Sequence, residues 1–350
     1  MPLRQQLQSV QLFRGAAVLL VLLFHATVIS KAYLGYDLLG GLFLFGYSGV
    51  DIFFVLSGFI IFLKHRDDAN SPKSLKPYFQ KRFIRIYPLY WVIALALVPI
   101  YFAPAYDASY CIVLFKSLLL LPQVDNPVVT VAWSLSQEVF FYGMFALAIF
   151  FPWRYVRPVF VGCLLVTAVF YVGKITVPGT FEMPPHSGFF FSPYNLEFAM
   201  GCLAAHLLDS LRPLPSAPLV ITGLAMFLLC GINDSSIYAR FGRNHSILSY
   251  GIASMLMILG GVLWERRRRR AMPSMLLLMG DASYSIYLTH YALLDLFLKG
   301  ALALAIPALI GSSLTAVLAT ASSLGIGVLL YLGVERPLLT YLRKRIGARP

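Results

Sequence analysis

The sequence is poor in charge. Only 12% of its 350 residues are Asp, Glu, Lys or Arg, while 59% are hydrophobic; an ordinary soluble domain carries about 25% and roughly 45–50%. A chain of this length cannot cover so much apolar surface with so few ionised groups in water. An integral membrane protein with many spans is expected instead. Cysteine is sparse too. Cys111, Cys163, Cys202 and Cys230 stand singly in apolar surroundings, which suggests neither a disulfide framework nor a zinc site. There is no G-x-S-x-G elbow, P-loop, G-x-G-x-x-G or H-E-x-x-H, so the usual hydrolase, ATPase, dinucleotide and metalloprotease chemistries are removed. Acidic residues are the scarcer sign, 15 against 28 Lys and Arg, for a formal charge of +13. In a chain this apolar, that excess bears on which side of a bilayer the cations face, and no nucleic-acid partner is expected.

What is present in abundance is long apolar runs. The first, Ala16 to Phe24, is closely bounded by Arg14 and His25 and followed by many more, so it reads as a retained helix and not a cleaved signal. Windows able to cross a ~30 Å hydrocarbon core fall at 12–30, 46–63, 86–102, 131–151, 158–174, 193–208, 217–232, 246–264, 275–298 and 314–333. Cys111–Leu121 and Gly300–Ile310 are too short or interrupted and read as interfacial or re-entrant pieces. The expected fold is an all-α polytopic transmembrane bundle of about ten spans. With ten spans, 21 of the 28 cations sort to the side of the N-terminus, six to the other, and Arg14 lies inside the first span. That segregation predicts both termini inside. The arginine run 266–270 reads as a topology anchor facing anionic lipid.

Ionisable groups inside spans are expensive and therefore candidates for function. Arg14 and His25, 11 residues apart, lie roughly 20° from one another around a helix and about 16 Å apart along it. The histidine suits a general base and the arginine an anion. Asp51 falls near the outer end of the second span, close to Ser57 and Gly58. Arg82 and Arg85 share a helix face at i,i+3 where the third span begins, a pairing suited to a polyphosphate. Glu138 lies about a turn and a half into the fourth span, with Ser134 and Tyr142 on its face and Trp133 at its start; so near the membrane it needs a partner, and His25 is a candidate. Ser283, Tyr287 and His290 fall near one face of an unusually polar span and read as lining a cavity. His290 and Asp295 form an H-x4-D string, but they point about 140° apart on a helix, so the string reads as chance. Glu335-Arg336-Pro337 reads as a helix stop with a local ion pair. His65, His186 and His245 read as solvated loop residues, while Glu197 and His206 could be partners or lining. No metal site is expected.

These strings together resemble the acyltransferase 3 family of multi-span membrane acyltransferases, and most closely its exopolysaccharide-type O-acetyltransferases. The matching strings are Phe13-Arg14-Gly15 through His25, Gly49 to Phe59, Arg82-Phe-Ile-Arg85-Ile-Tyr-Pro88, Trp133-Ser-Leu-Ser-Gln-Glu138 with Tyr142, and Gly280 to His290. Five strings in order, spread from near residue 9 to about 337, are specific together although each is weak alone. The resemblance implies a bacterial inner-membrane enzyme that moves an acyl group, acetyl above all, from acyl-CoA to a hydroxyl of a cell-surface or lipid-linked glycan. It matches Arg14 and His25 to the family's first-helix arginine and histidine, the histidine being its proposed base, and Arg82 and Arg85 to its Arg-x-x-Arg pair. On the expected topology Arg82, Arg85 and Arg14 would hold the phosphates of a cytoplasmic acyl-CoA, and Glu138 or Asp51 would orient His25. Many relatives carry a fused extracytoplasmic esterase-like domain. Here a single membrane acyltransferase domain over 1–350 is expected, without that appendage. The competing reading is a proton-coupled transporter or glycan-lipid flippase using the same buried Arg, His and Glu as a relay.

Overall fold

The computed structural model describes residues 7–101, 108–177, 185–211, 215–241, 246–268 and 271–345. Helices and short helical turns make up all the regular structure among these residues. In chain order they are α1 (Gln8–Leu34), α2 (Gly49–His65), α3 (Leu75–Tyr101), α4 (Ala108–Leu118), α5 (Trp133–Phe150), α6 (Trp153–Thr176), α7 (Pro185–Phe190), α8 (Tyr194–Leu207), α9 (Ser216–Phe241), α10 (Ile247–Arg268), α11 (Ser274–Asp281), α12 (Ser283–Ala303), α13 (Ile306–Ile310), α14 (Ser312–Leu330) and α15 (Arg336–Arg345). The chain is thus an all-α bundle of membrane-spanning helices.

Eight helical segments among the described residues are long and apolar enough to cross a membrane, and each coincides with an expected window. The remaining two windows meet different structures. The 193–208 window is α8, whose 14 residues rise only ~21 Å. The 275–298 window is α11 and α12, joined through Ala282 and rich in hydroxyl groups. The two short apolar stretches are also short helices here: α4 has 11 residues and α13 has five.

Exposure is inverted relative to a soluble fold. On α6, Val159, Val161, Leu165, Val169 and Val172 each expose 46–60% of their surface. Apolar surface of that extent suits a lipid-facing helix. Inside the bundle, many polar groups are gathered and hydrogen-bonded to one another.

Two ends of the bundle are distinguished by their ion pairs. At one end, Asp209 accepts from Arg66 at 3.2 Å and from Arg266 at 3.0 Å, tying the ends of α2, α8 and α10 together. There too Glu265 of α10 closes the start of α1, accepting from the Gln8 and Ser9 amides at 2.8 Å each and from Ser9 Oγ at 2.5 Å. These are orphan donors of a helix N-terminus, met by a charge on a neighbouring helix. At the opposite end Lys31 pairs with Asp37, and Asp295 binds both Tyr33 and Lys299. Arg4, Arg212, Arg243, Arg269, Arg270, Arg349 and His245 lie outside the described residues, as do the side chains of His186, Arg240 and Arg268.

Close helix approach is set by glycines, Gly58 and Gly280 among them. A Cβ on Gly58 would stand 2.0 Å from the Phe198 carbonyl oxygen, which locks α2 against α8. A Cβ on Gly280 would stand 2.2 Å from the Gln11 carbonyl oxygen, which locks α11 against the first turn of α1. Small residues at such contacts let backbones meet and gain packing where no hydrophobic effect operates between helices.

Two sequence expectations are corrected. His65 is not a solvated loop residue. It ends α2, is 7% exposed, and its Nδ1 lies 2.7 Å from Asp68 Oδ2 with its ring edge-on to Tyr78. Glu335 does not stop a helix with a local partner. A π turn over Tyr331–Glu335 carries the helix through to α15 and turns Glu335 inward, where it is 1% exposed and paired with Arg85. The wider turn relieves the helix ahead of Pro337, which has no amide to donate and whose ring crowds the preceding turn.

Candidate active site

The apolar stretch between Arg14 and His25 is uninterrupted helix, so their 11-residue spacing places both on one side of α1. Gly280 brings α11, and α12 behind it, onto that side. As a result His290 of α12 reaches His25: Nε2 of His290 lies 3.1 Å from Nδ1 of His25, with ring centroids 4.9 Å apart. His25 is half-buried and His290 fully buried. Phe24 and Tyr291 present ring edges to the His25 imidazole at 4.9 and 5.3 Å. Asp295 is engaged elsewhere, with Tyr33 and Lys299, so the two members of the H-x4-D string have separate partners.

Toward the Asp209 end of the bundle lies a network of arginines and carboxylates. Arg85 donates to Glu335 Oε1 at 2.8 Å, and Ser285 Oγ donates to Oε2 at 2.6 Å. The Arg85 guanidinium also covers the Tyr284 ring at 5.3 Å. Arg14 donates to Gln11 at 3.3 Å and lies within electrostatic reach of Arg85, Glu335, Glu138 and Asp281. Arg82 differs from both. It lies over the rings of Tyr142 and Tyr78, at 5.1 and 5.7 Å, and its buried Nε has no hydrogen-bond partner among the described residues. Of the three arginines, it is the one with no hydrogen bond to another described residue. Lys64 adds to the cationic side, within reach of Lys81, Arg82, Arg85 and Arg343. Sequence reasoning placed Lys64 and Arg343 in the topology count and missed this convergence; only the fold brings the end of α2 to α15.

The other expected residues fall into place around these two centres. Glu138 Oε1 accepts from Ser57 Oγ at 2.9 Å and from Tyr142 at 2.5 Å, so α2 and α5 are joined through the carboxylate. Ser134 Oγ and Tyr287 share a hydrogen bond of 2.7 Å, joining α5 to α12. Ser283, 1% exposed, opens α12, with its Oγ unpartnered among the described residues. Trp133 is partly exposed and faces Tyr194 and Phe54, an aromatic group at the start of α5. Asp51 is fully buried in the first turn of α2. It sits within reach of Tyr47, Tyr171 and Tyr250, and Tyr47 donates to Asp234. Asp51 thus belongs with the α9–α10 side of the bundle, and Glu138 with the arginines. Glu197 is fully buried on α8, whereas His206 is exposed there with its ring edge-on to Phe62. The partner that the structure gives His25 on α12 is a histidine, which sequence reasoning had read as lining. Among the described residues no three His, Cys, Asp or Glu side chains gather as metal ligands.

Residues 7–332 match the acyltransferase 3 family, described as an acyltransferase domain. The chain is 28% identical over 337 residues to the exopolysaccharide production protein ExoZ of Rhizobium meliloti (strain 1021), covering 93% of this chain and 96% of that one. It is also 28% identical over 292 residues to "Putative acetyltransferase ORF330" of Acidianus two-tailed virus, covering 81% and 82%. No solved structure matches it.

Proposed function

Because the chain belongs to the acyltransferase 3 family, we propose that it moves an acetyl group from acetyl-CoA to a hydroxyl of an extracellular or lipid-linked glycan, at the cytoplasmic membrane of a bacterium. That it is a membrane acyltransferase follows from the family and the helical bundle. The donor, the acceptor and the base are proposed. One observation carries it: α1 joins a cationic end, where Arg14, Arg82, Arg85 and Lys64 converge, to an imidazole about 16 Å deeper. That arrangement suits a donor with a phosphate-bearing head and a long thin arm ending in a thioester. Arg82 is the first candidate for a phosphate, since Arg85 is engaged by Glu335.

In this reading His25 removes the proton of the acceptor hydroxyl as its oxygen attacks the thioester carbonyl carbon. The carbon–sulfur bond breaks, and the imidazolium returns its proton to the leaving sulfur. The products are an O-acetyl ester and free CoA thiol. Trp133, partly exposed beside Tyr194, offers a sugar an apolar face on the α5 side. The related protein named for exopolysaccharide production supports a glycan acceptor, and the one named an acetyltransferase supports the acetyl group.

The test is acetyl transfer from radiolabelled acetyl-CoA to membrane glycans by His25→Ala, inserted at wild-type level. Loss of about 10²-fold or more is expected for a general base. Normal transfer by the variant would sink the assignment of the base, and no labelled glycan with the wild-type protein would sink the function.

A further inference from the structure

We infer that His290 is a positioning residue that fixes which nitrogen of His25 carries the proton; the inference rests on the proposed role of His25 as base. It comes from a chain of hydrogen bonds whose direction is dictated by backbone carbonyls. Nδ1 of His290 lies 2.8 Å from the Tyr287 carbonyl oxygen and 3.2 Å from that of Ile286. Carbonyl oxygens only accept, so Nδ1 of His290 carries its hydrogen. Its Nε2 then bears a lone pair, and that lone pair faces Nδ1 of His25 at 3.1 Å. An acceptor there requires hydrogen on Nδ1 of His25. A second observation requires the same: Nδ1 of His25 lies 3.0 Å from the carbonyl oxygen of Val21. Two acceptors on different helices thus select one tautomer of His25, and the basic lone pair falls on Nε2.

The surroundings hold His290 still. It is 0% exposed, and Ser323 Oγ of α14 donates to its backbone oxygen at 3.3 Å. One turn away the Tyr287 hydroxyl, shared with Ser134, anchors the same face of α12 to α5. The arrangement has the logic of a catalytic triad, with nucleophile, base and orienter in line, but the orienter is a neutral imidazole instead of a carboxylate. When His25 takes the acceptor's proton, its Nδ1–H bond to His290 shortens in effect, because a charged donor makes a stronger hydrogen bond than a neutral one. The gain belongs to the transition state, not the ground state, so it raises kcat more than it alters KM.

The decisive comparison is His290→Leu against His290→Gln, each assayed for acetyl transfer in membranes and normalised to inserted protein. Glutamine can place a carbonyl oxygen where Nε2 stands, and leucine fills similar space without an acceptor. His290→Leu is expected to lose about 10²-fold in kcat, with KM for donor and acceptor changed less than threefold. His290→Gln is expected to recover at least tenfold of that loss. Leucine activity within threefold of wild type would overturn the inference, and so would glutamine performing no better than leucine at equal insertion. Failure of the functional reading looks different, since the wild-type membranes themselves would then yield no acetylated glycan.

Discussion

Arg85 and Glu335 offer the sharpest energetic test of the bundle. The carboxylate is 1% exposed and the guanidinium 25%, at 2.8 Å. Removing one partner of a buried pair strands the other charge, typically at a cost of about 3–5 kcal/mol. For Arg85→Met the cost falls at the lower end, about 3 kcal/mol, because Ser285 still donates to Glu335 at 2.6 Å. Glu335→Leu strands Arg85 instead, with the Tyr284 ring beside it at 5.3 Å, and leaves Ser285 unpaired. That variant falls at the upper end, about 4–5 kcal/mol. Removing both charges in Arg85→Met with Glu335→Leu leaves only the serine unsatisfied, a cost of about 1–3 kcal/mol. The double variant is therefore more stable than the sum of the singles by several kcal/mol. Unfolding by denaturant in detergent micelles measures all four proteins on one scale. Additivity within about 0.5 kcal/mol would refute the reasoning, since it would mean that the two side chains do not depend on each other.

Two further variants follow from packing and from the helix end. Gly280→Val forces a side chain onto the Gln11 carbonyl oxygen, 2.2 Å from where its Cβ must sit, so α11 has to retreat from α1; a markedly lowered melting temperature in detergent is expected, and an unchanged one would show that this contact is not close. Glu265→Ala strips three hydrogen bonds from the start of α1, at an expected cost of about 1–2 kcal/mol, read as faster hydrogen exchange at Gln8 and Ser9 with little change in α14.

Much of the bundle was legible from composition because lipid leaves few options: in a bilayer a chain that is 59% hydrophobic must satisfy its backbone within each helix. Eight windows became helices long and apolar enough to span for that reason. Where the reading slipped, a third dimension was needed. Nothing local to Glu335 points to Arg85, 250 residues earlier, and the neighbouring Arg336 offered a nearer partner. The π turn that redirects the side chain depends on Pro337 and on helix packing together. His65 was misread for the same reason: it stands beside polar loop residues in sequence but under Tyr78 of α3 in space. In the site, the Arg14–His25 spacing was readable because one helix carries both. The His25–His290 contact was not, because it joins α1 to α12 across 265 residues.

That contact also explains a division of labour among the buried groups. An ionised carboxylate at the centre of a bilayer costs about 2.5–3.5 kcal/mol or more unless it is paired. Three of the bundle's carboxylates are placed accordingly. Glu335 is held by Arg85, Glu138 lies within reach of Arg14, and Asp295 is bound by Lys299 at the far end. An orienter of the same kind behind His25 would need a counter-ion of its own. A neutral histidine whose Nδ1 hydrogen is spent on backbone carbonyls needs none. In the proposed reaction it still offers the acceptor that His25 would use as base, and it adds no fixed charge to a site where the charges that develop, on the imidazolium and the thioester oxygen, arise together and cancel. On this argument His290→Asp should fare worse than His290→Gln in the transfer assay, although aspartate is the stronger acceptor. An aspartate variant as active as glutamine would show that the neutrality of the orienter is incidental.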